Sequence, residues 1–124
     1  MVLEHDGGLR EVERQLRRLA GMRNRPTALF VTKTLAVPAV YTVLSGLGLM
    51  IPRDLSIICL EDDPFLEYLS PPVARYGTDS AAIARQLTVR LVQLASGDSL
   101  RPSHSLLVPR FIPGASIAPP ATCP

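Results

Sequence analysis

Two short stretches carry the side chains of this sequence best suited to chemistry. Lys33 and Thr34 close one apolar run, and Glu61, Asp62 and Asp63 close another. In open parallel α/β sheets, ligands bind just beyond the carboxyl ends of the strands. Acids placed there can accept hydrogen bonds from a bound small molecule, and the chain's single lysine offers a mobile point charge beside them. The simplest alternative is an ion pair between Lys33 and Glu61 across adjacent strand ends. If exposed, such a pair contributes at most about 1 kcal/mol. Acids plus one lysine also occur in phospho-receiver sites, where carboxylates hold Mg²⁺. The order here disfavours that reading, because the acids follow the lysine strand and no isolated acceptor Asp ends a separate middle strand. Acid–base catalysis by Glu61 and Asp62 lacks support as well. His5 and His104 lie far away in sequence, and neither a nucleophile motif nor a glycine-rich phosphate loop is present.

The segments around these residues must position them. Residues 47–63 (LGLMIPRDLSIICLEDD) read as a helix end, a tight turn, a buried strand and the acidic cluster. Gly48 supplies a left-handed residue to end the helix, and Pro52 keeps it from resuming. Residues 55–60 form a near-continuous apolar run, the pattern of a parallel strand covered on both faces. Residues 27–32 (TALFVT) form a second such strand, ending at Lys33. Thr34 is placed to cap the helix that follows, whose buried face is Ala36, Val40, Val43 and Leu47, with Pro38 in its first turn.

Residues 9–22 predict an amphipathic helix, with Leu9, Val12, Leu16 and Leu19 on one stripe and arginines on the rest. Glu11 and Glu13 interrupt the basic face, so it reads as solvated surface. Residues 64–70 (PFLEYLS) place Phe65, Leu66, Tyr68 and Leu69 within five positions, which points to core packing or a subunit contact. A third strand is expected over 73–76. Gly77, Thr78 and Asp79 break it and cap the longest helix, residues 80–96, whose stripe is Ile83, Leu87, Leu91 and Leu94. Gly97 ends that helix. A loop follows over 98–105, then a last strand over 106–112, which Pro109, with Pro113 just beyond it, assigns to a sheet edge.

The chain has 124 residues, enough for one domain. Residues 1–24 form an N-terminal segment with the amphipathic helix, 25–120 the main unit, and 121–124 a tail. Alternation of strands and helices gives the fold class: α/β, three-layer, with a mostly parallel sheet. Thirteen basic against eleven acidic side chains leave a net charge of +2, too little to imply nucleic-acid binding. Cys59 mid-strand and Cys123 in the tail lack metal or disulfide spacing. No cofactor is implied. The first residues lack the apolar core of a secretion signal, and no apolar run is long enough to span a membrane, so a cytoplasmic location is expected.

From residue 25 to residue 120 the sequence resembles the C-terminal part of the effector domain of LacI/GalR-type transcriptional regulators. The resemblance rests on Arg25-Pro26-Thr27-Ala28, the Leu47-Gly48-Leu49 helix end, Ile51-Pro52-Arg53-Asp54-Leu55-Ser56-Ile57-Ile58, the acids at 61 and 62, Ser70-Pro71-Pro72 and Ala118-Pro119-Pro120. It implies a partial periplasmic-binding-protein-like lobe, without the DNA-binding headpiece or the first lobe, that senses a sugar or related effector. The family's effector positions fall on Lys33, Thr34, Glu61, Asp62 and Thr78, and only Asp62 is the family's residue unchanged. The resemblance also implies a homodimer, with contacts expected at Leu35, Pro38, Ala39, Phe65, Leu66, Tyr68 and Leu69. By the same resemblance, helix 80–96 crosses to the absent first lobe and has no sheet of its own to cover. The alternative is an interaction or structural segment with no ligand.

Overall fold

The computed structural model describes residues 8–97, 99 and 104–120. His5, Cys123 and most of the expected 98–105 loop lie outside the described residues. The chain builds α1 (Leu9–Ala20), β1 (Ala28–Val31), α2 (Val37–Gly46), β2 (Ser56–Cys59), β3 (Ala74–Gly77), α3 (Ser80–Ala95) and β4 (Arg110–Ile112). Single-turn 3-10 helices lie at Thr34–Ala36 and Pro64–Glu67. The four strands form one sheet in chain order. β1, β2 and β3 run parallel, and β4 closes the edge antiparallel to β3. The mostly parallel α/β sheet is therefore as the alternation of segments predicts, and so is the edge position of the last strand.

α1 forms because Val12, Leu16 and Leu19 recur at helical spacing and bury together. Its outer face carries the pairs Arg14–Glu11 at 2.8 Å and Arg17–Glu13 at 2.9 Å. Leu9, expected on the buried stripe, is exposed in the first turn, where the helix has not yet reached the core. α2 buries Val37, Val40, Val43 and Leu44. It ends in a Schellman motif: the Gly48 N–H donates to the Ser45 carbonyl at 3.0 Å, and the Leu49 N–H to the Leu44 carbonyl at 2.9 Å. That motif needs a left-handed residue, and Gly48 has φ +70°.

Strand register divides the sheet into two faces. Leu29 is paired with Ile57 and Val31 with Cys59; on this face the strands pack against α1 and α2 around a core that includes Leu55, Leu66 and Val73. Phe30, paired with Ile58, faces the other way. Tyr76 shares that second face, and its ring meets Phe111 of β4 edge-on at 5.5 Å. There Phe30 is 55% exposed and Phe111 44%. The cover expected on both faces of β2 is complete on the side of Ile57 and Cys59, whereas Ile58 on the other side is half-buried.

A buried serine in the C-terminal segment ties β2 to β3. Ser116 Oγ donates to the Ile57 carbonyl at 2.6 Å and accepts from the Ala74 N–H at 2.8 Å. The Ser116 carbonyl accepts from the Ile57 N–H at 2.8 Å. Gly114 makes this approach possible. A Cβ there would lie 2.4 Å from the Ala74 nitrogen and the Val73 carbonyl carbon. α3 is capped as the sequence predicts, with Asp79 Oδ1 accepting from the Ala82 N–H at 3.0 Å and Gly97 at φ +79°. None of its residues is buried. Among the described residues, no helix is long and apolar enough to cross a membrane.

Candidate functional site

Because β1, β2 and β3 are parallel, the residues that follow them emerge on one edge of the sheet. Lys33 and Thr34 follow β1, Glu61 and Asp62 follow β2, and Thr78 follows β3. The first three interact. Lys33 Nζ lies 2.6 Å from Glu61 Oε1, and the Thr34 backbone N–H donates to Glu61 Oε2 at 3.0 Å. Thr34 therefore does not cap through its hydroxyl, as the sequence pattern predicts. Glu61, arriving from the neighbouring strand, takes the amide at the start of the 3-10 turn instead. A carboxylate is favoured there by the unpaired amides of a helical N-terminus. The Lys33 hydrogen bond first, and the Thr34 amide second, hold the Glu61 carboxyl below its ordinary range. The same contact raises the Lys33 ammonium.

Asp62 is engaged differently. Its Oδ1 pairs with Arg75 Nε, and Arg75 Nη2 lies 2.6 Å from Glu67 Oε1. Arg75 Nη1 also donates to the Val73 carbonyl at 3.3 Å. The Arg75 side chain is only 4% exposed. Burial works against its charge, but hydrogen bonds to Asp62 and Glu67 outweigh it and raise its pKa. The bare Cα of Gly77 leaves room for this arrangement, since a Cβ there would stand 3.1 Å from Asp62 Oδ2 and 2.8 Å from Ile112 Cδ1. Asp63 serves its own turn, accepting from the Phe65 N–H at 3.1 Å. Thr78 is exposed at the end of β3.

The sequence pattern does not single out Arg75, Glu67 or Gly77. A signal for Arg75 is nonetheless present: a guanidinium inside the apolar segment Val73-Ala74-Arg75-Tyr76 has to find carboxylates on folding. The other expected group, at the subunit contact, divides. Leu35 and Tyr68 are 88% and 86% exposed. Pro38 is also exposed, and Ala39, Phe65 and Leu69 are half-buried against the core. Leu66 is a correction. It is fully buried among core side chains and has no surface to offer a partner. The reason is the 3-10 turn Pro64–Glu67, which rotates Leu66 inward while Tyr68 points out.

The mostly parallel α/β sheet, with polar groups gathered at its strand ends, has the architecture of a periplasmic-binding-protein-like lobe. A family model for the periplasmic binding protein-like domain matches residues 3–117, and the chain belongs to that family. Within it, the chain is similar to the effector domain of LacI-type regulators. A probable opine utilization operon repressor of Rhizobium rhizogenes is 30% identical over 98 residues, covering 79% of this chain and 50% of the repressor. A ribose operon repressor of Haemophilus influenzae is 38% identical over 71 residues, covering 56% of this chain and 21% of that one. The crystal structure of a LacI-family regulatory protein from Chloroflexus aggregans superposes with a TM-score of 0.78 at 28% identity. The match covers 92% of this chain and 41% of that one. The chain thus spans about half the length of the first of these relatives, and less of the others. By name the two curated relatives are repressors, not enzymes.

Proposed function

We propose that these residues form an effector-sensing and dimerisation part of a LacI-type transcriptional regulator. The reading is supported by one observation above all: three parallel strands deliver Lys33, Thr34, Glu61, Asp62 and Thr78 to a single edge. Lys33 keeps free donors beyond its bond to Glu61, Thr78 offers a hydroxyl, and Asp62 Oδ2 is left to accept. Such a set suits a polyhydroxylated small molecule, a sugar or a sugar-like conjugate. Ligand binding at this edge would favour closure against a facing lobe, a hinge transition common in two-lobed sensors. Operator DNA would be read by a headpiece that these residues do not supply. The homodimer contact falls to Leu35, Pro38, Ala39, Phe65, Tyr68 and Leu69, and the compartment is the cytoplasm.

A second reading, an interaction segment without a ligand, is favoured by the pairing itself. Both oxygens of Glu61 and one of Asp62 are already satisfied within the chain. Calorimetric titration of the 124-residue chain with ribose, opines, nucleosides and sugar phosphates separates the two. Saturable heat that is lost in Asp62→Ala supports the sensor. No heat from any of them supports the second reading, and saturable heat unchanged in that variant refutes this edge as the site.

A further inference from the structure

Of the acids that follow β2, Asp62 is the one held by a buried cation. Glu61 is occupied at both oxygens, by Lys33 and by the Thr34 N–H. Asp63 is turned to the Phe65 N–H of its own turn. Asp62 meets Arg75, whose backbone lies inside the sheet, with Cys59 of β2 on one side and Ile112 of β4 on the other. Arg75 shares the covered face of the sheet with Cys59. Its side chain is 4% exposed, against 38% for Asp62. A small molecule arriving at the strand-end edge therefore reaches Asp62 and not Arg75.

The guanidinium is fixed on every side. Nη2 donates to Glu67 Oε1 at 2.6 Å, Nη1 to the Val73 carbonyl at 3.3 Å, and Nε to Asp62 Oδ1. Its planar fork sets the direction of each bond, which the point charge of a lysine does not. Asp62 Oδ1 is thereby drawn inward to one place. Asp62 Oδ2 lies beside the bare Cα of Gly77, 3.1 Å from where a Cβ would stand. Glu67 supplies the second carboxylate, since a cation this deeply buried has to be paired and hydrogen-bonded.

Taking the strand-end edge as the effector site of the proposed function, we propose that Arg75 is its positioning residue: it touches no ligand itself, but locks the Asp62 carboxylate with Oδ1 inward and Oδ2 presented to the ligand. A carboxylate paired in this way accepts hydrogen bonds and does not donate them, so the ligand group opposite Oδ2 is a hydroxyl or an N–H. Fixing the acceptor beforehand removes the cost of ordering that side chain when the ligand binds.

Side-chain NMR of the 124-residue chain tests the hold on Asp62 without a ligand. Three-bond couplings from Asp62 Cγ to its backbone nitrogen and carbonyl carbon report the χ1 rotamer. The wild type is expected to show a single rotamer. Arg75→Lys keeps a cation but loses the fork, and should spread Asp62 over several rotamers, with the fold checked by circular dichroism. If that variant does not fold, Arg75→Met, which buries no charge, takes its place. Calorimetry with ribose, opines, nucleosides and sugar phosphates adds the binding arm. Whichever of these binds the wild type should bind the Arg75 variant about three- to tenfold more weakly, the cost of ordering one side chain. An Asp62 already spread over several rotamers in the wild type overturns the proposal. So does a rotamer unmoved in the variant, or an affinity unchanged once the rotamer is released. If none of the compounds binds the wild type while the variant still releases Asp62, the proposed function fails and the hold of Arg75 on Asp62 stands.

Discussion

Replacing Gly114 by alanine should destabilise the fold more than any other single methyl group added to this chain. The new Cβ would lie 2.4 Å from two backbone atoms, the Ala74 nitrogen and the Val73 carbonyl carbon, and 2.7 Å from the Pro72 carbonyl oxygen. Backbone cannot rotate away as a side chain can, so the segment has to rise by about 1 Å to reach ordinary contact. Ser116, two residues on, holds three bonds to β2 and β3 at 2.6, 2.8 and 2.8 Å. A lift of that size takes them past useful length. Each buried group left unpaired costs roughly 1–3 kcal/mol, and partial relaxation brings the sum to about 3–5 kcal/mol. For a domain of this size the melting temperature should fall by roughly 10–20 °C. Urea unfolding followed by circular dichroism measures it. Ser116→Ala alone should cost about 2–3 kcal/mol, since it orphans the Ala74 N–H and the Ile57 carbonyl. Because both changes act on the same clamp, the double variant should cost clearly less than their sum. A Gly114→Ala protein within about 0.5 kcal/mol of wild type, or a strictly additive double variant, refutes the reasoning.

Other consequences follow from local geometry. Gly46 has open space where a Cβ would stand and ends α2 without a positive φ, so Gly46→Ala should stabilise by about 0.5–1 kcal/mol in the same unfolding assay. Burial pushes the Tyr41 phenol up to about 12, and its hydroxyl donates to the Pro71 carbonyl at 2.8 Å. The raised folded value means that this stabilisation is complete below the ordinary tyrosine pKa and is lost as pH climbs from about 10 towards 12. Tyr41→Phe should remove that alkaline dependence and cost about 1 kcal/mol at neutral pH. Lys33→Met should raise the Glu61 titration midpoint, read by carbonyl NMR. The depressed value means that the pair stabilises above the ordinary carboxylate range and ceases to as pH falls through the Glu61 midpoint. Salt should shrink the effect, because Lys33 is 70% exposed.

How much of this molecule its sequence discloses depends on how local each cause is. The Val12–Leu16–Leu19 stripe, the Gly48 helix end, the Asp79 cap and the parallel strands are written in spacing over a few residues, and each appears as read. The Lys33–Glu61 pair was legible because parallel strands bring their ends together. Arg75 was harder. Its partners Asp62 and Glu67 lie 13 and 8 residues away, and only the three-dimensional path of the 64–67 turn brings Glu67 back. The same turn explains Leu66. Apolar composition alone does not say which of four clustered side chains faces inward. At Thr34 the sequence pattern predicts a cap by the adjacent hydroxyl, whereas the carboxylate comes from another strand. For α3, the pattern discloses that an apolar stripe exists but not which surface covers it.

The proposed function requires the strand-end edge to be a ligand-binding edge. Amide NMR of the 124-residue chain, titrated with the sugar and opine panel, tests that claim residue by residue. Saturable shifts are expected at about millimolar ligand, confined to Lys33, Thr34, Glu61, Asp62 and Thr78 and abolished by Asp62→Ala. Shifts centred elsewhere, as in the groove of about 210 Å³ between α3 and Ser105–Leu107, or none at any concentration, would contradict it.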